Sequence, residues 1–279
     1  MRPNRQRDPS VDYANPASVR ALNQALLREA YGLSAWDIPP GYLCPPVPGR
    51  SDYIHHLADV LARGLTAIPR GATVRVLDIG VGANCIYPLI GAREYGWSFV
   101  GSEVDPVALR WARHLASSNP AVRELIECRE QTNRLHCLQG VVRPGEFFDA
   151  TLCNPPFHAS AKDAREGQDR KVRNLRAAGS RSPSRQRNFG GQAVELWCPG
   201  GELAFVRRLI AESSAFRDQC RWFTVLVSKS ENLAPLRKAL IEVEVTETKV
   251  IDMAQGQKKS RILAWTFAPP LRVSGKRER

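Results

Sequence analysis

No stretch of this 279-residue chain comes near the ~20 consecutive apolar residues that a membrane-spanning helix needs. The start carries no secretory hydrophobic region, and none of the seven cysteines (44, 85, 128, 137, 153, 198 and 220) sits in C-x-x-C spacing. An odd number of scattered thiols without a leader reads as reduced cysteine in a soluble, cytoplasmic protein rather than as a disulfide framework. The five histidines do not cluster with cysteines at ligand spacing, so no metal site is expected. His55 and His56 are neighbours, but adjacent residues on a helix diverge and chelate poorly. Acidic residues are scarce: 28 Asp and Glu stand against 40 Lys and Arg, giving a formal charge of +12 and a pI near 9.7.

That imbalance points to a polyanionic partner. Lys and Arg contacts to phosphate supply most non-specific nucleic-acid affinity, and the predominance of arginine suits bidentate phosphate recognition. Hydrophobic residues make up 43% of the chain, enough for a proper core and too many for a disordered protein. The length suits one large α/β domain with appendages, or two small domains.

Three regions are expected: a basic arm with a helical extension over residues 1–70, a main domain over 71–268 and a basic tail over 269–279. Arg2, Arg5, Arg7, Pro3 and Pro9 mark the arm. Asn15-Pro16 reads as a helix start, Leu22, Leu26 and Ala30 as one apolar face, and Gly32 as the stop. A proline-rich connector from Ile38 to Gly49 is followed by a second predicted helix, with Ser51 as a possible cap and Ile54, Leu57, Ala58, Leu61 and Leu65 as its stripe.

From residue 73 strands and helices alternate. Strands are predicted over 73–79, 97–103, near 123–128, over 147–153 and 222–227; helices over 85–95, 105–119, 202–213 and 231–242. Two late strands, near 244–251 and 262–267, leave no room for a helix between them. Repeated βα units imply a doubly wound parallel sheet, and the late pair an antiparallel hairpin at its edge. Residues 158–191 break the pattern, with nine Lys/Arg against three Asp/Glu, and read as a long basic loop.

Asp78-Ile79-Gly80-Val81-Gly82-Ala83-Asn84 follows the first predicted strand of the main domain and precedes a helix. Glycines there let the backbone turn tightly and approach a ligand closely. The G-x-G-x-x-G dinucleotide pattern is not completed, because no glycine follows Gly82 until Gly91, with Tyr87 and Pro88 in between. Glu103, 21 residues past Gly82, sits at the end of the next predicted strand, where a carboxylate can accept from both hydroxyls of a ribose. The pair suits S-adenosylmethionine better than a nicotinamide dinucleotide.

Asn154-Pro155-Pro156-Phe157 closes a later strand. Two prolines remove two backbone donors and hold Asn154 in extended geometry. The Asn amide oxygen and nearby carbonyls then stand as fixed acceptors beside an aromatic ring, which suits a planar group carrying an NH2, such as a nucleobase. By itself the tetrapeptide fits equally well a proline turn whose Phe157 packs into the core. Arg170, Lys171 and Arg173 on the long loop, and Lys258, Lys259 and Arg261 by the turn of the late hairpin, are the candidate RNA contacts.

Several strings together resemble the bacterial 23S ribosomal RNA adenine-N6 methyltransferase family called RlmF, ribosomal RNA large subunit methyltransferase F. They are Arg50-Ser-Asp-Tyr-Ile-His-His56, Asp78-Ile-Gly-Val-Gly-Ala-Asn-Cys-Ile-Tyr-Pro-Leu-Ile-Gly91, Cys153-Asn-Pro-Pro-Phe-His158, Asn188-Phe-Gly-Gly-Gln192, Glu195-Leu-Trp-Cys198 and Met253-Ala-Gln-Gly-Gln-Lys-Lys-Ser-Arg261. The resemblance runs from about residue 10 to 268, and it implies a class I Rossmann-like fold. It implies S-adenosylmethionine as cofactor and, as target, an adenine N6 in 23S rRNA or a large-subunit precursor, adenine 1618 in the family's name. By that resemblance Gly80, Gly82 and Ala83 pass the methionine part, Asp78 and Asn154 also belong to the cofactor site, Arg50 pairs with the cofactor carboxylate, Glu103 holds the ribose, and Gln131 and Asn133 flank the adenine. Asn154 and Pro155 accept from the target amine, Pro156 stiffens the corner, and Phe157 stacks on the flipped base. The rivals are rRNA guanine-N2 methylation and a catalytically silent RNA-binding assembly factor. The enzyme is expected to act as a monomer.

Overall fold

In the computed structural model the described residues are 2–3, 9–11, 15–158, 160, 197–255 and 258–269. The basic loop, with Arg170, Lys171 and Arg173, therefore lies outside the described residues, as do the C-terminal tail and most of the N-terminal arm. Within the arm, Arg2–Pro3 and Pro9–Ser10 pair as a short antiparallel ribbon.

The main sheet has seven strands among the described residues: β1 (Arg75–Ile79), β2 (Ser98–Glu103), β3 (Ile126–Glu130), β4 (Phe148–Cys153), β5 (Cys220–Val227), β6 (Glu247–Gln255) and β7 (Lys258–Thr266). Their order is β3-β2-β1-β4-β5-β7-β6. β1 to β5 run parallel, whereas β7 pairs antiparallel with both β5 and β6. The late hairpin is present as expected, with β7 inside the sheet and β6 at its edge.

Side chains alternate faces along a strand, and neighbouring core residues divide accordingly. Val76, Leu152, Trp222 and Ile262 face one cluster; Leu77, Cys153, Phe223 and Leu263 face the other. The first cluster takes residues of α1 (Pro16–Tyr31), α2 (Val47–Leu61), α3 (Ile86–Tyr95) and α4 (Pro106–Ser117). The second takes α5 (Gly201–Ser213) and α6 (Leu233–Glu242). Covering both faces explains why the parallel strands read as near-continuous apolar runs. It also explains α3, in which eight of ten residues are buried.

α1 starts as expected, with the Asn15 side chain accepting from Ala17 N. Several boundaries move, the late strands running over 247–255 and 258–266 rather than near 244–251 and 262–267. α2 begins at Val47 rather than at a Ser51 cap, because Pro48 is tolerated in the first turn of a helix. The Ser51 hydroxyl instead meets Tyr31 Oη at 2.5 Å and His55 Nε2 at 3.2 Å. β3 begins at Ile126 rather than near 123, because Val122 N and Arg123 N bond to Asn119 O and hold 119–125 in turns. α2 is also part of the core: Tyr53 is fully buried, and its hydroxyl meets Thr224 Oγ1 at 2.8 Å and accepts from Cys153 N at 3.4 Å.

Candidate active site

Register decides where the site lies. Ile79 of β1 pairs with Ser102 of β2 on one side and with Cys153 of β4 on the other. The chain segments that leave these strands, at Gly80, Glu103 and Asn154, therefore emerge side by side at one end of the sheet. The strand order reverses between β1 and β4, which is where open α/β sheets bind ligands. A cavity of about 460 Å³ opens there, a size suited to a small-molecule ligand. Arg50, Gly80, Gly82, Glu103, Gln131, Asn154, Pro155 and Pro156 all line it.

The turn after β1 is built on Gly80 and Gly82 at φ of 80° and 63°, which an L side chain rarely adopts. A Cβ on Gly80 would meet nothing within 4 Å, so this stretch of backbone is open to a ligand. Glu103 is buried and holds the turn from below: Oε2 accepts from Gly82 N at 2.9 Å, and Oε1 from Val104 N and Asp105 N at 2.8 and 3.0 Å. Burial raises the Glu103 carboxyl above its ordinary range, and the backbone N–H groups oppose the shift. With two lone pairs per oxygen, Oε2 keeps one acceptor position for the cavity.

Arg50 is the hub on the other wall. Its Nη1 donates to Tyr87 Oη at 2.6 Å. With the Asn154 amide oriented so that its oxygen faces the guanidinium, Oδ1 accepts from Nη1 at 2.9 Å and Nη2 at 3.1 Å. The opposite orientation would set N–H against N–H. Burial pushes the Tyr87 phenol up to about 12, against the pull of Arg50, so it stays neutral. Asp78, near the end of β1, is fully buried, and neither carboxylate oxygen has a hydrogen-bond partner among the described residues. Desolvation raises its pKa well above the usual carboxylate value, with Cys128 and Glu103 adding to the shift and Arg50 opposing it. An unpartnered buried carboxyl beneath an open glycine turn fits a ligand that brings positive charge.

The remaining wall comes from the segment after β3 and from α5. Glu212 of α5 accepts from Cys137 N, Leu138 N and Gln139 N at 2.7, 3.0 and 2.7 Å, fixing the loop that carries Arg134, Leu135 and His136 into the cavity. Gln131 is held by its own side-chain bond to Gln139 O. On the far side of β4, His158 and Trp197 form a parallel bridge, and Cys198 N donates to His158 O at 3.1 Å. His158 and Trp197, far apart in sequence, are thus neighbours, and Trp197 lines the cavity.

A profile of an RNA methyltransferase family, Methyltransf_10, matches residues 2–269. The chain belongs to this RNA methyltransferase family. It is 55% identical over 93% of its length to ribosomal RNA large subunit methyltransferase F of Pectobacterium carotovorum subsp. carotovorum, covering 82% of that protein. With the protein of the same name from Photobacterium profundum it shares 50% identity, over 93% of this chain and 81% of the other. Among solved structures it is similar to the human METTL16 catalytic domain in complex with MAT2A 3'UTR hairpin 1, at TM-score 0.77 and 32% identity, covering 96% of this chain and 86% of that one. It is also similar to the N-terminal domain of human METTL16 in complex with SAH, at TM-score 0.73 and 29% identity over 96% and 88% of the two chains. As a member of this RNA methyltransferase family the protein is an enzyme with the class I methyltransferase fold.

Some expected site residues lie elsewhere. Asn133 is exposed and does not line the cavity; its Oδ1 accepts from Leu135 N and its own N–H donates to Gln131 Oε1, so it shapes the turn. Ala83 is fully buried beneath the glycine turn, and Phe157 is half-buried outside the cavity wall. Arg261, expected as a phosphate contact, has only 18% of its side chain exposed and pairs with Asp252 across the hairpin at 3.4 Å. Lys258 and Lys259 open β7 two residues after β6 ends, and so stand beside the turn of the hairpin; their side chains lie outside the described residues. Among the described residues no group of three or more His, Cys, Asp or Glu is placed to hold a metal, and no helix is long and apolar enough to cross a membrane.

Sequence reasoning missed Tyr87 as the partner of Arg50, and it missed Trp197, Phe205 and Arg208 in the cavity wall. For Trp197 a signal existed, since Glu195-Leu-Trp-Cys198 is one of the strings behind the family resemblance. For the two residues of α5 there was none, because their spacing is that of any amphipathic helix.

Proposed function

We propose that this RNA methyltransferase transfers the methyl group of S-adenosylmethionine to the N6 amine of one adenine in 23S rRNA or a large-subunit precursor, adenine 1618 by family resemblance. One observation carries the assignment: Gly80, Gly82, Glu103 and the Asn154–Pro156 corner all face one cavity. The names of the relatives, and the neighbour solved with SAH, support the cofactor and the ribosomal substrate. S-adenosylmethionine supplies an electrophilic methyl on a cationic sulfonium, and a cationic ligand in the cavity would favour ionisation of the buried Asp78 carboxyl behind the wall.

In this reading Arg50 binds the cofactor carboxylate, Gly80 and Gly82 pass its methionine part, and Glu103 Oε2 holds the ribose. Gln131 lies against the adenine, and Asn133 acts on that contact through the Gln131 Oε1 bond. Ala83 underpins the turn. Asn154 Oδ1 and the Pro155 carbonyl accept the two protons of the target amine, so the nitrogen can pyramidalise as it attacks. The charge that develops on nitrogen is stabilised by these fixed dipoles, and in-line positioning supplies much of the rest. No strong general base is required, since the proton can leave after transfer. Asn154 Oδ1 already accepts from Arg50, so base binding shares or replaces one of those two bonds. Pro156 stiffens the corner, and Phe157 stacks on the flipped base by turning toward the cavity as the base enters, a contact worth about 1–3 kcal/mol.

Arg170, Lys171, Arg173, Lys258 and Lys259 add phosphate contacts, while Arg261 acts by holding the hairpin through Asp252. The division into 1–70, 71–268 and 269–279 is kept, with α2 serving the main domain's core. The enzyme works in the cytoplasm, as a monomer. The deciding experiment is to incubate the purified protein with S-adenosylmethionine and unmodified 23S rRNA, then digest to nucleosides. N6-methyladenosine is expected. N2-methylguanosine without N6-methyladenosine overturns the assignment, and no methylation with intact RNA binding favours a silent binding factor.

A further inference from the structure

The cavity wall holds two buried hydrogen-bond donors that the cofactor and amine contacts leave unused. Trp197 Nε1 and Arg208 Nε are both buried, and neither has a hydrogen-bond partner among the described residues. Both residues line the cavity. Burying such groups unpaired is costly, so their retention calls for an occupant.

The surroundings define its chemistry. Indole and guanidinium donate and cannot accept, so the occupant must be an acceptor. Arg208 is cationic, and among the described residues it forms no ion pair. The acid that helical spacing would offer it, Glu212 four residues on, is spent on Cys137 N, Leu138 N and Gln139 N. The guanidinium lies 5.8 Å from the centre of the Phe205 ring, which also lines the cavity. Position assigns the side: Trp197 bridges to His158, one residue beyond the Asn154–Phe157 corner, and so stands by the acceptor end of the cavity.

We propose that Trp197 Nε1 and Arg208 form an anion subsite that takes a phosphate of the RNA strand next to the methylated nucleotide. Resting on the methylation assignment above, it adds a positioning contact. A flipped base needs its backbone fixed as well as its ring, and a guanidinium stacked on an aromatic face holds a phosphate in one orientation.

The test uses the full chain with saturating S-adenosylmethionine and an rRNA fragment that the wild type methylates. RNA affinity is measured at several salt concentrations for the wild type, R208Q, R208K and W197F. R208Q is expected to weaken RNA binding about tenfold and to lower the slope of log affinity against log salt by about 0.7, the contribution of one contact to single-stranded RNA. R208K should keep the slope while losing part of the affinity. W197F, which keeps the ring and loses the donor, should weaken binding about threefold with the slope unchanged. Cofactor affinity should stay within twofold throughout. An unchanged RNA affinity in both R208Q and W197F overturns the subsite, and a loss of cofactor binding in R208Q moves the group to the methyl donor instead. If the effect of R208Q disappears on RNA lacking only the target base, the contact is to the base and the phosphate assignment fails. Failure of the wild type to methylate any rRNA would strike the underlying assignment rather than this one.

Discussion

Replacing Arg50 by Met removes the centre of the donor-side wall while keeping the bulk of its aliphatic stem. Three contacts are lost: Nη1 to Tyr87 Oη at 2.6 Å, and Nη1 and Nη2 to Asn154 Oδ1 at 2.9 and 3.1 Å. A hydrogen bond to a charged group contributes about 1.5–3 kcal/mol, and a shared donor makes these three far from additive. A destabilisation of about 2 kcal/mol is therefore expected, or roughly 4–8 °C in Tm for a domain of this size. Cofactor binding should suffer separately. Loss of one charge-assisted contact to a carboxylate corresponds to about a 10- to 100-fold rise in the dissociation constant for S-adenosylmethionine, at 1.4 kcal/mol per tenfold. R50K keeps the charge without the fork and should fall between. Calorimetry with S-adenosylmethionine, together with thermal unfolding of R50M, N154A and the double variant, separates the two effects. Affinity in R50M within twofold of the wild type would refute the carboxylate role. Strictly additive stability losses in the double variant would refute the Arg50–Asn154 bond.

Asn154→Ala should lower kcat for methyl transfer at least 100-fold, on the scale of losing one oriented group at the developing charge, with RNA affinity within threefold; retained turnover would sink the amine-acceptor role. Asp78→Asn should weaken cofactor binding and change the pH dependence of the ligand-free enzyme. The folded state holds the Asp78 proton more tightly than the unfolded chain, so stability falls as pH rises above about 3.8, and D78N should lack that component; parallel Tm profiles from pH 5 to 8 would falsify this. Glu146 has the opposite sign, since Arg129 holds its carboxyl down to about 2. Its stabilisation is full above 4.5 and lost as pH falls toward 2, so E146Q should be less stable at neutral pH, by about 1–2 kcal/mol after solvent screening, and the gap should close in acid. An equal gap at pH 3 and pH 7, read by denaturant unfolding, would contradict that pairing.

Most element positions were legible because each rests on local physics. Asn15 caps α1 with its own side chain, the glycine turn follows a β-rich run, and the prolines at 106 and 155–156 permit only a helix start or a corner. Boundaries failed where distant groups decide them, as at β3, whose start is set by turns around Asn119, itself bonded to Ala35 O. The basic residues of the hairpin were legible as charge but not as contacts, since Asp252 comes opposite Arg261 only through the β6–β7 register.

What the sequence determines by itself is chemistry placed at the ends of elements. The glycine turn, Glu103 and the Asn-Pro-Pro-Phe corner each follow a strand, and their residue types state what they can donate, accept or approach. What only tertiary structure decides is which groups share a space. The β1–β2 and β1–β4 registers bring those three strand ends together, and Tyr53 anchors α2 against β4 so that Arg50 reaches Asn154 and Tyr87. Packing of α5 then turns Arg208 and Phe205 into the same wall while Glu212 is consumed by backbone donors. A side chain's free hydrogen-bonding capacity is what its neighbours leave over, and neighbours distant in sequence are fixed by the fold.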